Sequence, residues 1–357
     1  MKHKLLIAIA VFIYSTSISQ TKESISKGQI SIIDEKIKDF PKATELSIAF
    51  IKNGEVSFYG AKRIDDTIEY VDNSNKVFEI GSLTKVFTST LLANLVLQHK
   101  IDLNKPIHSY FDFPIGNKEI TVLQLANHTS GLPKLPSNLD LDKADQSNPY
   151  KNYSKEDLKE LLRNKLEIIS DPGTAYEYSN IGAGILGYLL EVQTDLTYEE
   201  LLKKYIVAKY DMKNTSTILN NINSDLVEGL DSNGNKTANW DLNALVGAGG
   251  ILSNVEDLSK FAIAQLNQEN KELELTRKTT FEIPEYQMEV GLAWKILKPD
   301  PENKWYMHNG GTSGYSTMFA LDIENEIGII ILSNVSTFNE NARNIDQLCL
   351  ELMQSQY

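Results

Sequence analysis

Apolar residues recur every three to four positions in QISIIDEKIKDF (29–40), the spacing of an amphipathic helix. ELSIAFIKNGEVSFYG (45–60) alternates instead, and its alternation breaks at Lys52-Asn53-Gly54. Asn-Gly between two alternating runs predicts a β-hairpin. The next run, EIGSLTKVFTSTLLANLVL (79–97), is apolar nearly all round and predicts a buried helix with Ser82 as its N-cap. From about Leu103 to Asn239 the pattern is helix and loop with almost no strand signal. A capping box, Thr121-x-x-Gln124, opens ITVLQLANHTSGLP, and Gly131 and Pro133 end it. A polar stretch (134–152) reads as loop, and helices follow from Ser154, in NIGAGILGYLLEVQ and in TYEELLKKYIV. A second box, Ser253-x-x-Glu256, predicts the next helix. Strand patterns then return in YQMEVGLAWKIL, KWYMHNG, GYSTMFALD and EIGIIILSN, before a closing helix from about Asn339 to Gln354.

Strands at both ends with helices between them predict an α+β fold. One antiparallel sheet would be built from the N- and C-terminal parts and flanked by terminal helices. A helical lobe (103–239) would be inserted into a sheet lobe (20–102 and 240–357), the two making one catalytic domain with a cleft between them.

Composition narrows the classes. The chain has 357 residues and a net charge of −13, from 35 Lys and Arg against 48 Asp and Glu. No basic cluster is visible, which argues against nucleic acid and against an anionic membrane surface. The N-terminus has Lys2 and Lys4, an apolar run from Leu5 to Ile13, and then Ser15, Ser17 and Ser19. That layout predicts a cleaved signal peptide over 1–19, too short to span a bilayer, and hence a secreted or periplasmic protein with no membrane contact in its mature form. The single cysteine, Cys349, excludes an internal disulfide and reads as a small core residue.

Lys85 changes the picture most. It lies three residues after Ser82, in the first turn of a helix whose N-terminus already carries partial positive charge. Residues three apart share a helix face. Burial and the helix dipole both favour a neutral amine, which can take the serine proton. A plain N-cap with a snorkelling lysine explains the same spacing. A second Ser-x-x-Lys, Ser24 to Lys27, precedes any core. Tyr178 and Asn180, after a Pro172-Gly173 turn, offer a proton relay or a core tyrosine. His308, Asn309, Gly310 and Gly311 read as a strand end and turn, or as a place where a ligand comes close.

In this order the motifs resemble the serine hydrolases of the class C β-lactamase and D-Ala-D-Ala carboxypeptidase type, with related esterases and D-aminopeptidases. FEIGSLTKVFTSTLL, ITVLQLANHTSGLP, PGTAYEYSNIGAGILGYLLE and GAGGILSNVEDLSKF carry the likeness, which runs from about Gln29 to the C-terminus. It implies a β-lactamase/transpeptidase-like fold and hydrolysis through a Ser82 acyl-enzyme. Lys85 would be the base and Tyr178 the proton shuttle. Asn180 would bond the substrate amide or Lys85, and the N–H groups of Ser82 and Gly311 would form the oxyanion hole. The third motif of the family is often Lys-Thr-Gly, where this chain has His308-Asn309-Gly310. That departure argues against efficient β-lactam turnover.

The chain lacks Gly-x-Ser-x-Gly and His-Glu-x-x-His, and its five histidines show no metal-ligand spacing. His128 reads as a structural hydrogen-bonder. No Gly-x-Gly-x-x-Gly follows a strand, so no cofactor is expected, and the partner implied is a small-molecule or peptide substrate. Oligomeric state is not written in the sequence. β-Lactams and D-amino-acid peptides lead as substrates, with an esterase, or a non-catalytic binding or sensing relative, as alternatives. The cleft walls are expected from 134–152 and from about Tyr286 to Trp294.

Overall fold

A computed structural model describes residues 25–116, 119–145 and 147–357, so the signal segment lies outside the described residues. The Asn-Gly turn joins β1 (Glu45–Lys52) to β2 (Glu55–Ile64), with Lys52 facing Glu55. Asn53 and Gly54 both take positive φ, +52° and +79°, as a two-residue hairpin turn requires. Next come β3 (Thr67–Tyr70), β4 (Phe78–Glu79) and, far along the chain, β5 (Leu252–Ser253), which pairs with β4 apart from the large sheet and bridges Ser216. Then follow β6 (Phe281–Ile283), β7 (Met288–Val290), β8 (Lys295–Leu297), β9 (Trp305–Gly311), β10 (Ser316–Asp322) and β11 (Ile327–Ser333).

Nine of these strands make one antiparallel sheet in the order β3-β2-β1-β11-β10-β9-β8-β7-β6. The first and last parts of the chain meet where β1 pairs with β11, Leu46 opposite Ser333. β11 is central and buried along its whole length, because both sheet faces are covered. Ile329 and Ile331 face the Lys27–Ile37 and Arg343–Gln354 helices, among Ile33, Ile345 and Leu348. Ile330 and Leu332 face the larger core, with Phe87, Leu258 and Phe319. Between β4 and β5 every regular element of the described residues is helical. Cys349 is a free, buried residue of the terminal-helix core.

Several boundaries move. The first helix begins at Lys27, with Ser26 and Gln29 forming the capping box. The box at Thr121 and Gln124 forms as expected. The one at Ser253 does not: Asn254 caps Val255–Leu266 by accepting from Asp257 N–H, while the Ser253 hydroxyl lies 2.8 Å from Thr215 Oγ1. YQMEVGLAWKIL is two short strands, because Gly291 and Leu292 turn to bond Trp294 and Thr276. The closing helix starts at Arg343, after a bend that includes Asn339 and Ala342.

Since Ile330 fills the larger core from the middle of the sheet, Ile330→Ala should cost about 2–5 kcal/mol, read as a fall in the urea midpoint at unchanged slope.

Candidate active site

The chain enters the site through Gly81, whose φ of +52° suits glycine. A Cβ there would lie 2.5 Å from Gly311 N, so β9 and this turn touch backbone to backbone. The contact forces a 3-10 turn over Gly81–Leu83, and the α-helix runs Thr84–Leu97. Ser82 therefore does not cap the helix as the pattern suggests; no side chain does. The hydroxyl is left for other partners. The helix is buried at every position from Thr84 to Ala93, as its all-round apolar pattern implies.

Lys85 is 2% exposed and makes three polar contacts. Its Nζ lies 3.0 Å from Ser82 Oγ, 2.8 Å from Asn180 Oδ1 and 2.7 Å from the Ala248 carbonyl. Two of these partners, the amide oxygen and the carbonyl, can only accept. A neutral amine satisfies both with its two N–H bonds and turns its lone pair to Ser82. Burial is the main force driving the Lys85 pKa well below the usual ammonium value, and the charges of Lys295 and Lys134 push the same way.

Tyr178 sits over this pair. Its ring centroid is 4.9 Å from Lys85 Nζ, and its phenol bonds Ser82. Burial raises the phenol pKa, so Tyr178 is a neutral acid in the free protein. Hydrogen bonds on both flanks hold it in place. Glu177 N–H donates to the His128 carbonyl at 2.7 Å, and Ser179 N–H donates to His128 Nδ1 at 3.2 Å. The His128 ring also packs 4.5 Å from that of Tyr178. Asn180 then begins the Asn180–Thr194 helix, whose N-cap is Ser179.

β9 divides its four candidates between two faces. His308 is buried, with its ring 6.3 Å from that of Tyr178. Its Nδ1 lies 2.6 Å from the Asn309 carbonyl, which can only accept, so Nδ1 carries the proton and Nε2 is an acceptor. Burial first, then Lys295 and Lys85, lowers its pKa well below the ordinary imidazole value and keeps it neutral. Asn309 turns to the terminal helix: its Nδ2 donates to Asp346 Oδ2 at 3.0 Å, and its Oδ1 lies 3.4 Å from Lys295 Nζ. Gly310 abuts Ile80, where a Cβ would meet the carbonyl at 2.0 Å. Gly311 lines a small cavity of ≈ 30 Å³ together with Ser82, Asn180, Tyr150 and Trp240.

The geometry thus gathers Ser82, Lys85, Tyr178, Asn180, His308 and Gly311, and sets the Asn309 side chain apart. Sequence reasoning missed Lys295 and Trp240. Tyr150, in the 134–152 loop expected to wall the cleft, is buried against Trp240 and lines the cavity. Tyr286, expected near the cleft, is 73% exposed and lines no part of that cavity. Only the pairing of β8 with β9 brings Lys295 in, and nothing local in the sequence signals it.

The beta-lactamase family model matches residues 33–352. The chain belongs to that family. It is 24% identical over 340 residues to protein flp of Staphylococcus aureus (strain MW2), a match covering 87% of this chain and 64% of flp. The chain therefore spans less than two thirds of that relative's length. A β-lactamase of Providencia stuartii is 28% identical over 191 residues, covering 51% of this chain and 46% of that protein. Among solved structures, a class C β-lactamase superposes with a TM-score of 0.78 at 20% identity, covering 96% of this chain and 98% of its own. The β-lactamase/D-alanine carboxypeptidase of Yersinia pestis gives 0.74 at 20% identity, with 93% and 100% covered. These superpositions show the family fold, α+β with an antiparallel sheet.

The labelling rate of Ser82 with a fluorophosphonate should fall as pH drops through the lowered Lys85 pKa, and Lys85→Arg, which cannot deprotonate, should slow it by about 10²–10⁴-fold. The unfolded chain binds a proton at Lys85 that the folded chain does not, between the lowered pKa and the unfolded value. This group's contribution to stability therefore rises with pH across that window. Gly81→Ala should cost more than about 1 kcal/mol in thermal unfolding and also slow labelling, because it combines a positive φ with a clash on Gly311.

Proposed function

We propose that this chain is an exported serine hydrolase that opens amide or ester bonds through a Ser82 acyl-enzyme, with D-amino-acid peptides or β-lactams as leading substrates. Membership of the family supports serine hydrolase chemistry. The observation that carries the reading here is the buried Lys85 amine, fixed by Asn180 and Ala248 with its remaining valence on Ser82.

In this reading Ser82 Oγ attacks the carbonyl carbon and its proton passes to Lys85 Nζ. The N–H groups of Ser82 and Gly311 receive the oxyanion; the first N–H groups of a helical turn have no partner within it. As the tetrahedral adduct collapses, Tyr178 gives its proton to the leaving nitrogen or oxygen. Lys85, against the same ring, returns a proton to the phenolate. A water then attacks the acyl-enzyme by the same route in reverse.

His308 lends no positive charge where a lysine commonly stands in the family, which favours peptide or ester over fast β-lactam turnover. The Yersinia pestis neighbour, described as a β-lactamase/D-alanine carboxypeptidase, accords with peptide chemistry. A non-catalytic role leaves unexplained why a lysine is kept buried beside a serine at a cost to stability.

Intact mass after mixing with a penicillin, beside Ser82→Ala, tests the reading. A lasting adduct on the wild type alone supports a slowly deacylating peptidase-type enzyme. Hydrolysed drug without an adduct, lost in Ser82→Ala, makes the chain a β-lactamase. Activity retained in Ser82→Ala would overturn the assignment of the nucleophile.

A further inference from the structure

Glu79 is a buried acid, two residues ahead of Gly81, that the mechanism above does not use. It is 4% exposed and ends β4, opposite Leu252 of β5. Its Oε1 accepts the main-chain N–H of Trp240 at 2.7 Å. Burial raises its pKa above the ordinary carboxylate value, while Thr312, Asn239 and the Trp240 N–H favour the charged form. Among the described residues it has no ion pair. A carboxyl group hidden from water without a cation is costly to keep. Its partners supply a reason for keeping it, because Trp240 and Thr312 both line the cavity at Ser82.

No helix or strand holds residues 237–242. Three consecutive residues instead fasten this stretch to three parts of the chain. Asn239 Nδ2 donates to Tyr315 Oη, just before β10, at 3.0 Å. Trp240 N–H donates to Glu79, and Asp241 N–H donates to Asn148 Oδ1, in the Tyr150 loop, at 2.8 Å. These bonds, with the Trp240 ring packed 5.1 Å from that of Tyr150, place the wall of the cavity. Of the three acceptors, only Glu79 belongs to the segment that leads into Ser82. A carboxylate is the stronger acceptor for such an N–H, so the link is a firm one.

Trp240 has two sides. With Leu242 and Gly249 it lines both the ≈ 30 Å³ cavity at Ser82 and a larger one of ≈ 550 Å³. Glu79 lines only the larger, so it stands behind the wall and reaches a substrate only through it. Tyr178, which meets the leaving atom in the mechanism above, lines no part of the cavity at Ser82. The Tyr150–Trp240 wall therefore belongs to the acyl side of the serine. We propose that Glu79 is a positioning residue that acts through Trp240, fixing the distance from Ser82 to this aromatic wall and so which acyl groups are accepted. Flat apolar acyl groups, aryl groups above all, suit a wall of two aromatic rings. The inference rests on the serine hydrolase reading above and deepens it.

Phenylacetyl and acetyl thioesters of one thiol, methyl thioglycolate, test this, with thiol release followed beside fluorophosphonate labelling of Ser82. The leaving group is then constant and only the acyl group varies. The wild type should favour phenylacetyl by about tenfold or more in kcat/KM, as expected for burial of a ring. Glu79→Leu fills the space but leaves the Trp240 N–H without its acceptor, and Glu79→Gln keeps a neutral one. Glu79→Leu should bring the ratio near unity, mainly through KM for phenylacetyl, and Glu79→Gln should keep most of it. In a Trp240→Ala background, Glu79→Leu should change the ratio no further. A preference that survives Glu79→Leu overturns the inference, as does an equal loss on both substrates or an additive loss in the double variant. If Glu79→Leu does not fold, loss of the preference in Trp240→Ala with the Gln variant near wild type supports the inference, and a preference kept in Trp240→Ala overturns it. Failure to label Ser82 in the wild type would overturn the hydrolase reading and the inference with it. Labelled Ser82 with no preference, or with neither thioester consumed, would overturn this inference alone.

Discussion

The site depends on one buried amine. Lys85 is buried, which favours its neutral form, and it meets two oxygens that can only accept, so the direction of its N–H bonds is set by Asn180 and Ala248. Those two partners come from distant parts of the chain, one at the head of the Asn180–Thr194 helix and one in the short Val246–Gly249 turn of helix. Holding them around Lys85 fixes the approach of the helical region to the Thr84–Leu97 helix. Close packing of small residues makes that approach possible, since a Cβ at Gly187 would stand 3.1 Å from Gly247 Cα.

A second constraint is backbone on backbone. Gly81 against Gly311, and Gly310 against Ile80, bring β9 into backbone contact with the serine turn. Side chains there would separate them. The glycines of the third motif are thus explained by steric contact alone, whatever the substrate. The sheet supplies the rigidity: β9 pairs with β10 along its full length, and β10 with β11 at the centre of both cores.

Electrostatics gives the site its character. Burial raises the Tyr178 phenol pKa and lowers those of Lys85, His128 and His308, so each of these groups is pushed toward its uncharged form. The field of Lys295 helps lower the three basic groups, and Lys134 adds to it at Lys85. Asn309 stands between Lys295 and Asp346, with its Oδ1 3.4 Å from Lys295 Nζ and its Nδ2 3.0 Å from Asp346 Oδ2.

The sequence by itself determined the hairpin at Asn53-Gly54, the buried helix after Ser82, the helical stretch between the strand-bearing ends, and the anomaly of Lys85 in a first helical turn. Each is a local signal: turn chemistry, hydrophobic period, or a charge against a dipole. The caps show where local reading stops. Ser82 and Ser253 both carry the N-cap pattern, yet contacts from β9 and from Thr215 claim their surroundings and the helices begin elsewhere. Tertiary structure alone decided that Asn309 turns to Asp346 while His308 faces Tyr178, because strand alternation sends neighbours to opposite faces and only the pairing says which face is the site. It likewise decided that Trp240 packs on Tyr150 to complete the wall expected from 134–152 and that Lys295 lies beside Tyr178, since strand pairing and packing bring together residues whose separation in sequence carries no signal of their contact.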